Sequence, residues 1–234
     1  MKQILLTLFC LTTLALCAGE QLPPERFLEE LRRPLSQEAW GEYTGRIIHV
    51  RDGKRINGNL RARVTFTQDG MMAQLTLDDR NTYGLEQQRT EGKPVKQFLD
   101  MPAKEIKPGL FDFGVEPADL SFSFIYWDFV EELPPRSSRW RECRVLKLAS
   151  PVEDGGSVNV WFDAKYGFPM EAHWYRPGAE TPWRKLVMQG AKRFENGLWF
   201  VKEMRLDGDN WKTQVKFDFA DKNAIGESSV KPAE

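Results

Sequence analysis

Residue types that carry chemistry are scarce in this chain. Its 234 residues include two histidines and three cysteines. His49 and His173 stand far apart, with no HExxH or CxxC spacing and no second imidazole nearby, so no metal site is expected. Cys10 and Cys17 fall in the leading residues, which leaves Cys143 without an internal disulfide partner. No His or Lys is signalled beside Cys143, and it reads as a small buried strand residue rather than a nucleophile. A G-x-S-x-G elbow, a P-loop and a dinucleotide fingerprint are all missing, as is a parallel βαβ pattern to house them. Asp78-Asp79, Glu131-Glu132 and the pair Asp207/Asp209 read as turns or solvated faces. No catalytic residue and no cofactor is expected, so the chain reads as a non-enzyme. An excess of one charge is also absent. Lys and Arg number 33 against 34 Asp and Glu, for a net charge of -1. Nucleic acid is therefore not an expected partner, because binding it needs clustered positive charge.

Long apolar runs are missing too, with one exception at residues 4–16. That run comes after a single Lys and precedes small residues, the form of a secretory signal peptide over residues 1–19 cut between 17 and 20. It is shorter than the ~20 residues a membrane span needs. A second reading makes Cys17 an acylated N-terminus, although Leu16 sits where that processing wants a small residue. The mature chain is expected to be exported and soluble. Hydrophobic residues make up 41% and aromatics 12%, too many for a disordered chain and enough for one sizeable core. One domain is expected over residues 20–222, with a flexible tail over 223–234.

Residues 24–33 have the pattern of a short amphipathic helix. Phe27, Leu28, Leu31 and Leu35 repeat at helical spacing, and Pro34 ends it. After Trp40 the period changes to two. Turn pairs such as Asp52-Gly53, Asp69-Gly70, Tyr166-Gly167 and Asp207-Gly208 divide the chain into short alternating segments, the mark of an antiparallel meander. Strands are predicted over 42–51, 58–68, 71–78, 82–88, 141–149, 157–163, 168–175, 184–192, 198–206 and 211–219. The stretch 89–140 is rich in Pro and aromatics. Its Pro117-Ala118-Asp119 resembles a helix start, so the stretch is predicted as a helical or irregular cover inserted in the meander.

Alternation places the apolar residues on one face. Turns over 163–167, 176–182 and 207–210 would pair Phe162 with Phe168, Ala172 with Leu186 and Met204 with Thr213. Leu198, Phe200, Met204 and Leu206 then share a face, with Lys202 as its exception. Trp161 and Trp199 fall on the polar side. In the N-terminal group Ala62, Val64 and Phe66, and Met71, Ala73, Leu75 and Leu77, alternate in the same way. The product is one wide curved sheet with one apolar side, and the cover either fills that side or leaves room for an apolar ligand. The candidate lining residues are Leu75, Leu77, Phe122, Phe124, Tyr126, Val160, Phe162, Met170, Trp174, Leu186, Met188, Phe200, Met204 and Phe217.

Several segments together resemble one family. They are WRECRVLKL at 140–148, VWFD at 160–163, YGFPM at 166–170, WRKL at 183–186, NGLW at 196–199, KEMRL at 202–206, WKT at 211–213 and DLSFSFIYW at 119–127. In this order they resemble the LolA-like outer-membrane lipoprotein-sorting proteins, the periplasmic lipoprotein carriers. The resemblance implies a β-rich α+β fold: a single antiparallel meander curved into an unclosed half β-barrel, with an N-terminal helix and a cover segment. It further implies a periplasmic monomer of a Gram-negative-type bacterium that shields lipid or lipoprotein acyl chains and transiently meets envelope membranes or membrane proteins. The alternative on the same scaffold is a non-enzymatic envelope sensing module that contacts a protein partner. The chain departs from the carriers in lacking their basic charge.

Overall fold

The computed structural model describes residues 22–32, 39–67, 69–88, 96–152, 154–193, 199–218 and 226–227. Residues 1–21 (the expected signal peptide among them), Leu35, Leu198, Phe219, most of residues 223–234 and the side chain of Phe200 lie outside the described residues. The helix forms as α1, Pro24–Arg32, and buries Leu28. Its Phe27 meets the Phe162 ring edge-on at 5.8 Å. Among the described residues the rest of the chain forms thirteen strands, all paired antiparallel in one sheet. The N-terminal group is β1 Ala39–Arg51, β2 Lys54–Thr67, β3 Gly70–Leu77, β4 Asn81–Gln88 and β5 Lys96–Asp100. The C-terminal group is β6 Asp128–Ser138, β7 Arg141–Ala149, β8 Ser157–Asp163, β9 Pro169–Tyr175, β10 Arg184–Arg193, β11 Trp199–Gly208 and β12 Trp211–Asp218. A short β13, Gly226–Glu227, pairs with β1.

Turn chemistry sets the strand ends. Asp52 and Gly53 both take left-handed backbone angles, with φ of 50° and 76°. They form the two-residue turn whose twist matches the hairpin of β1 and β2. The two groups of strands join where β1 pairs with β12, Ile47 opposite Val215 and Gly45 opposite Phe217. β5 and β6 stand at the two far edges, so the sheet curves without closing. This is the half-barrel that the sequence predicts.

Details differ in instructive ways. The predicted cover contains two strands, β5 and β6. Pro134 and Pro135 disguise β6, yet they fall at a register shift on an edge strand, where a missing N–H breaks no ladder. The cover proper spans 101–127. It holds a 3-10 helix at Leu110–Phe113, then α2 at Pro117–Ser121, then a second 3-10 helix at Ser123–Tyr126. Pro117 does start α2, with Glu116 as its cap. Two registers are shifted from those expected. Val160 faces Ala172, because a bulge next to Pro169 adds a residue to β9. Met204 faces Val215, because the last hairpin turns on Asp209 and Asn210 alone. Ala172 opposite Leu186 is as expected. Each slip covers an even number of residues, so the apolar face keeps its members. A second bulge, at Gly190, does change the face. It turns Val201 inward and Lys202 to solvent, which removes the exception that alternation had placed on the apolar side.

The outer face carries a small second cluster. Cys143, Val145 and Trp161 are buried there with Leu133 against them, and His173 stacks on Trp161 at 4.3 Å. Burial pushes the Cys143 thiol up from its ordinary pKa. Cys143 in the native protein is expected to react with an aromatic disulfide reagent more than about 100-fold slower than in denaturant, as measured by absorbance. Equal rates would place the thiol at an accessible surface.

Candidate functional site

The concave side of the half-barrel is filled at one end and hollow at the other. The 3-10 helix Leu110–Phe113 drives Leu110 and Phe113 into full burial over β1, β3 and β12. It comes this close because Gly58 carries no side chain: a Cβ there would lie 2.8 Å from Leu77 and 3.1 Å from Phe113. Polar groups lock it down. The Tyr83 hydroxyl donates to Glu105 Oε1 and accepts from the Leu110 N–H, both at 2.8 Å. Burial raises that phenol to about 12. Asn81 exchanges two hydrogen bonds with the Ile106 backbone. The Thr213 hydroxyl donates to the Phe113 carbonyl, so its oxygen accepts from His49 Nδ1 at 2.7 Å. Desolvation lowers the His49 pKa and favours the neutral ring.

α2 is held by a buried ion pair. Asp119 Oδ2 accepts from the Glu116 N–H at 2.7 Å and from Arg184 on β10. Arg184 also donates to the Gly114 carbonyl and lies over the Trp174 ring. Both members are almost fully buried, and Asp119 Oδ1 has no partner among the described residues. Burial pushes the Asp119 carboxyl up to about 6, with Arg184 offsetting only part of the shift. From the other side, Arg32 of α1 donates to the carbonyls of Ile125 and Trp127. The cover is thus tied to α1 at its C-terminal end and to β10 at its middle.

Beyond the cover lies a cavity of about 330 Å³. Its floor is formed by the N-terminal strands: Tyr43, Ala62, Val64, Phe66, Met71, Ala73, Gln74, Leu75, Tyr83, Leu85 and Gln87. Phe168, Pro169, Val201, Met204 and Phe217 form the opposite wall, and Leu31, Leu120, Ser121, Phe122, Ile125 and Tyr126 form the roof. The volume falls in the range of small-ligand sites, and the lining is largely apolar as such sites are. Of the two glutamines in the lining, Gln74 is exposed and Gln87 is buried. Gln87 is 4% exposed, and its Nε2 has no partner among the described residues. An amide left in that state costs about 1–3 kcal/mol.

Of the candidate lining residues, Leu75, Phe122, Tyr126, Met204 and Phe217 meet at this cavity. Leu77, Phe124, Val160, Phe162, Trp174, Leu186 and Met188 instead pack in the filled core, and Met170 bridges it to the outer cluster. The side chain of Phe200 lies outside the described residues. Val201, Leu85 and Gln87 were not among the candidates. Alternation along Tyr83, Leu85 and Gln87 signalled the last two, whereas Val201 depends on a bulge. Among the described residues no group of three His, Cys, Asp or Glu is placed to hold a metal, and no helix is long and apolar enough to cross a membrane.

No protein-family model matches the sequence, and no curated protein is significantly similar to it. Solved structures do match. A domain described as an outer membrane lipoprotein-sorting protein, from Vibrio parahaemolyticus, superposes with a TM-score of 0.65 at 14% identity, covering 88% of this chain and 93% of that one. The fold is LolA-like. A LolA superfamily protein from Nitrosomonas europaea superposes at 0.57 with 10% identity, covering 90% of this chain and 96% of its own. A DUF1329 family protein from Desulfovibrio piger gives 0.58 at 14% identity, over 82% and 87%. These matches run over most of the length of both partners. At such identities they speak for architecture alone.

Proposed function

We propose that this chain is an exported periplasmic carrier that shields acyl chains of lipids or lipoproteins inside its half-barrel. The observation that carries this reading is the apolar cavity of about 330 Å³, left open beside a cover that fills the rest of the concave side. Burial drives the binding, since each methylene withdrawn from water contributes about 0.8 kcal/mol. Nothing in this mechanism requires catalysis. Transfer asks that the cargo leave again, and the roof over Leu120, Phe122 and Tyr126 is the part that would move.

Native mass spectrometry of protein purified from the periplasm tests the reading. A co-purifying mass of lipid size, displaced by an added long-chain ester, is the expected result. A cargo-free protein that binds no alkyl ligand would overturn it.

One observation favours the protein-binding alternative. Met72 and Phe98 share the outer face of β3–β5 and are 53% and 50% exposed, beside the edge strand β5. An apolar patch next to a strand that has no outer neighbour among the described residues suits an added strand from a partner. A cargo-free protein that retains a partner on this edge would favour that alternative.

A further inference from the structure

The cavity wall contains one group that a hydrocarbon cannot satisfy. Gln87 lies near the end of β4 on the inner face, in the row with Phe66 and Met71. It lines the cavity, is nine-tenths buried or more, and leaves Nε2 without a hydrogen bond among the described residues. Gln74, the other amide at the wall, is exposed to solvent, and the hydroxyls of Tyr83 and Ser121 are engaged. The Tyr83 hydroxyl sits between Glu105 and Leu110, and Ser121 Oγ donates to the Ala118 carbonyl. Buried amides are almost always paired, because losing water without a replacement is costly. A second observation limits the replacement: among the described residues no Lys, Arg or His lines the cavity. A carboxylate carried inside would be buried without a counter-ion, which is far costlier than burying a neutral carbonyl.

We propose that Gln87 is a specificity-determining residue that donates to an uncharged carbonyl on the ligand. The cavity would then take acyl chains in ester or amide linkage and reject free fatty acids. This rests on the carrier reading and names its ligand class. The carbonyl oxygen accepts from Nε2 while the alkyl chain runs along Met71, Ala73 and Leu75.

The test uses the purified chain, an uncharged naphthylamine dye as displaceable probe, and methyl decanoate, undecane and decanoate at pH 8 as competitors. For the wild type, the ester is expected to bind more than about tenfold tighter than the carboxylate. Gln87→Leu is expected to lower the ester-to-undecane affinity ratio about tenfold, through loss of one hydrogen bond inside the cavity. Gln87→Met, which keeps the side-chain length, should do the same, and thermal unfolding checks that both variants are folded. If the wild type binds none of the three, the carrier reading fails. If it binds them and the ratio is unchanged in both variants, or if decanoate binds as well as the ester, the role of Gln87 is overturned and the carrier reading stands.

Discussion

Filling the cavity from its own wall, by Ala73→Phe, is expected to lower the affinity for an acyl ester about 100-fold. Ala73 stands on the inner face of β3 between Val64 and Leu85, and all three line the hollow end. A benzyl group added there occupies the space of roughly four methylenes. At about 0.8 kcal/mol each, the loss is about 3 kcal/mol, which is about 100-fold in Kd. Thermal stability should hold or rise, because the new ring removes a void rather than displacing packed atoms. Met72→Phe, one residue away on the outer face, serves as the control and should bind normally. Unchanged affinity in Ala73→Phe would place the ligand somewhere other than this cavity.

The second large effect concerns the roof. Asp119→Ala removes the buried counter-ion of Arg184, leaving it only the more distant, half-exposed Glu116, and also removes the carboxylate that accepts from the Glu116 N–H at the start of α2. Breaking such a pair costs about 3–5 kcal/mol, and the melting temperature should fall by roughly 10 °C. The direction of the shift sets the pH dependence. Asp119 titrates at about 6 in the folded chain, against about 3.9 when unfolded. The folded state therefore holds this proton more tightly. Its stabilising contribution is complete below about pH 4 and is lost as pH rises through about 6. The stability difference between wild type and Asp119→Asn, from urea titrations, should widen on going from pH 7 to pH 4. A difference that narrows on acidification would mean that attraction to Arg184, not desolvation, governs the carboxyl. Hydrogen exchange should show the amides of 117–126 opening sooner in either variant, because Arg184 anchors that stretch to the sheet.

Alternation and turn pairs made most of the sheet legible. A strand exposed on one side and buried on the other writes its face into every second residue, which is why Leu75 and Phe217 were found correctly on the apolar side. β6 was hidden because Pro134-Pro135 looks like a break, and nothing local says that the strand lies at an edge. Lys202 did carry a signal. A charged residue on an apolar face points to a bulge, and Gly190 on the partner strand provides one. The site was less legible than the fold. Periodicity tells which face a residue takes, but not how far along the strand the cover reaches. Val160, Phe162 and Leu186 therefore looked equivalent to Met204 until Phe113 and Phe124 were seen to fill one end. Gln87 carries no sequence signal because a single glutamine near a strand end is ordinary, and it becomes unusual only through its burial and its lack of a partner for Nε2 among the described residues.

The seam between β1 and β12 has a consequence for the order of events in folding. It ties residues 44–51 to residues 211–218, far apart along the chain. Each half can form its own hairpins early, but the curved wall is incomplete until β12 pairs with β1. Contacts of such separation slow folding, since a long loop must be closed before they reward the chain. A polypeptide emerging amino end first thus keeps its curved wall open until β12 has been made.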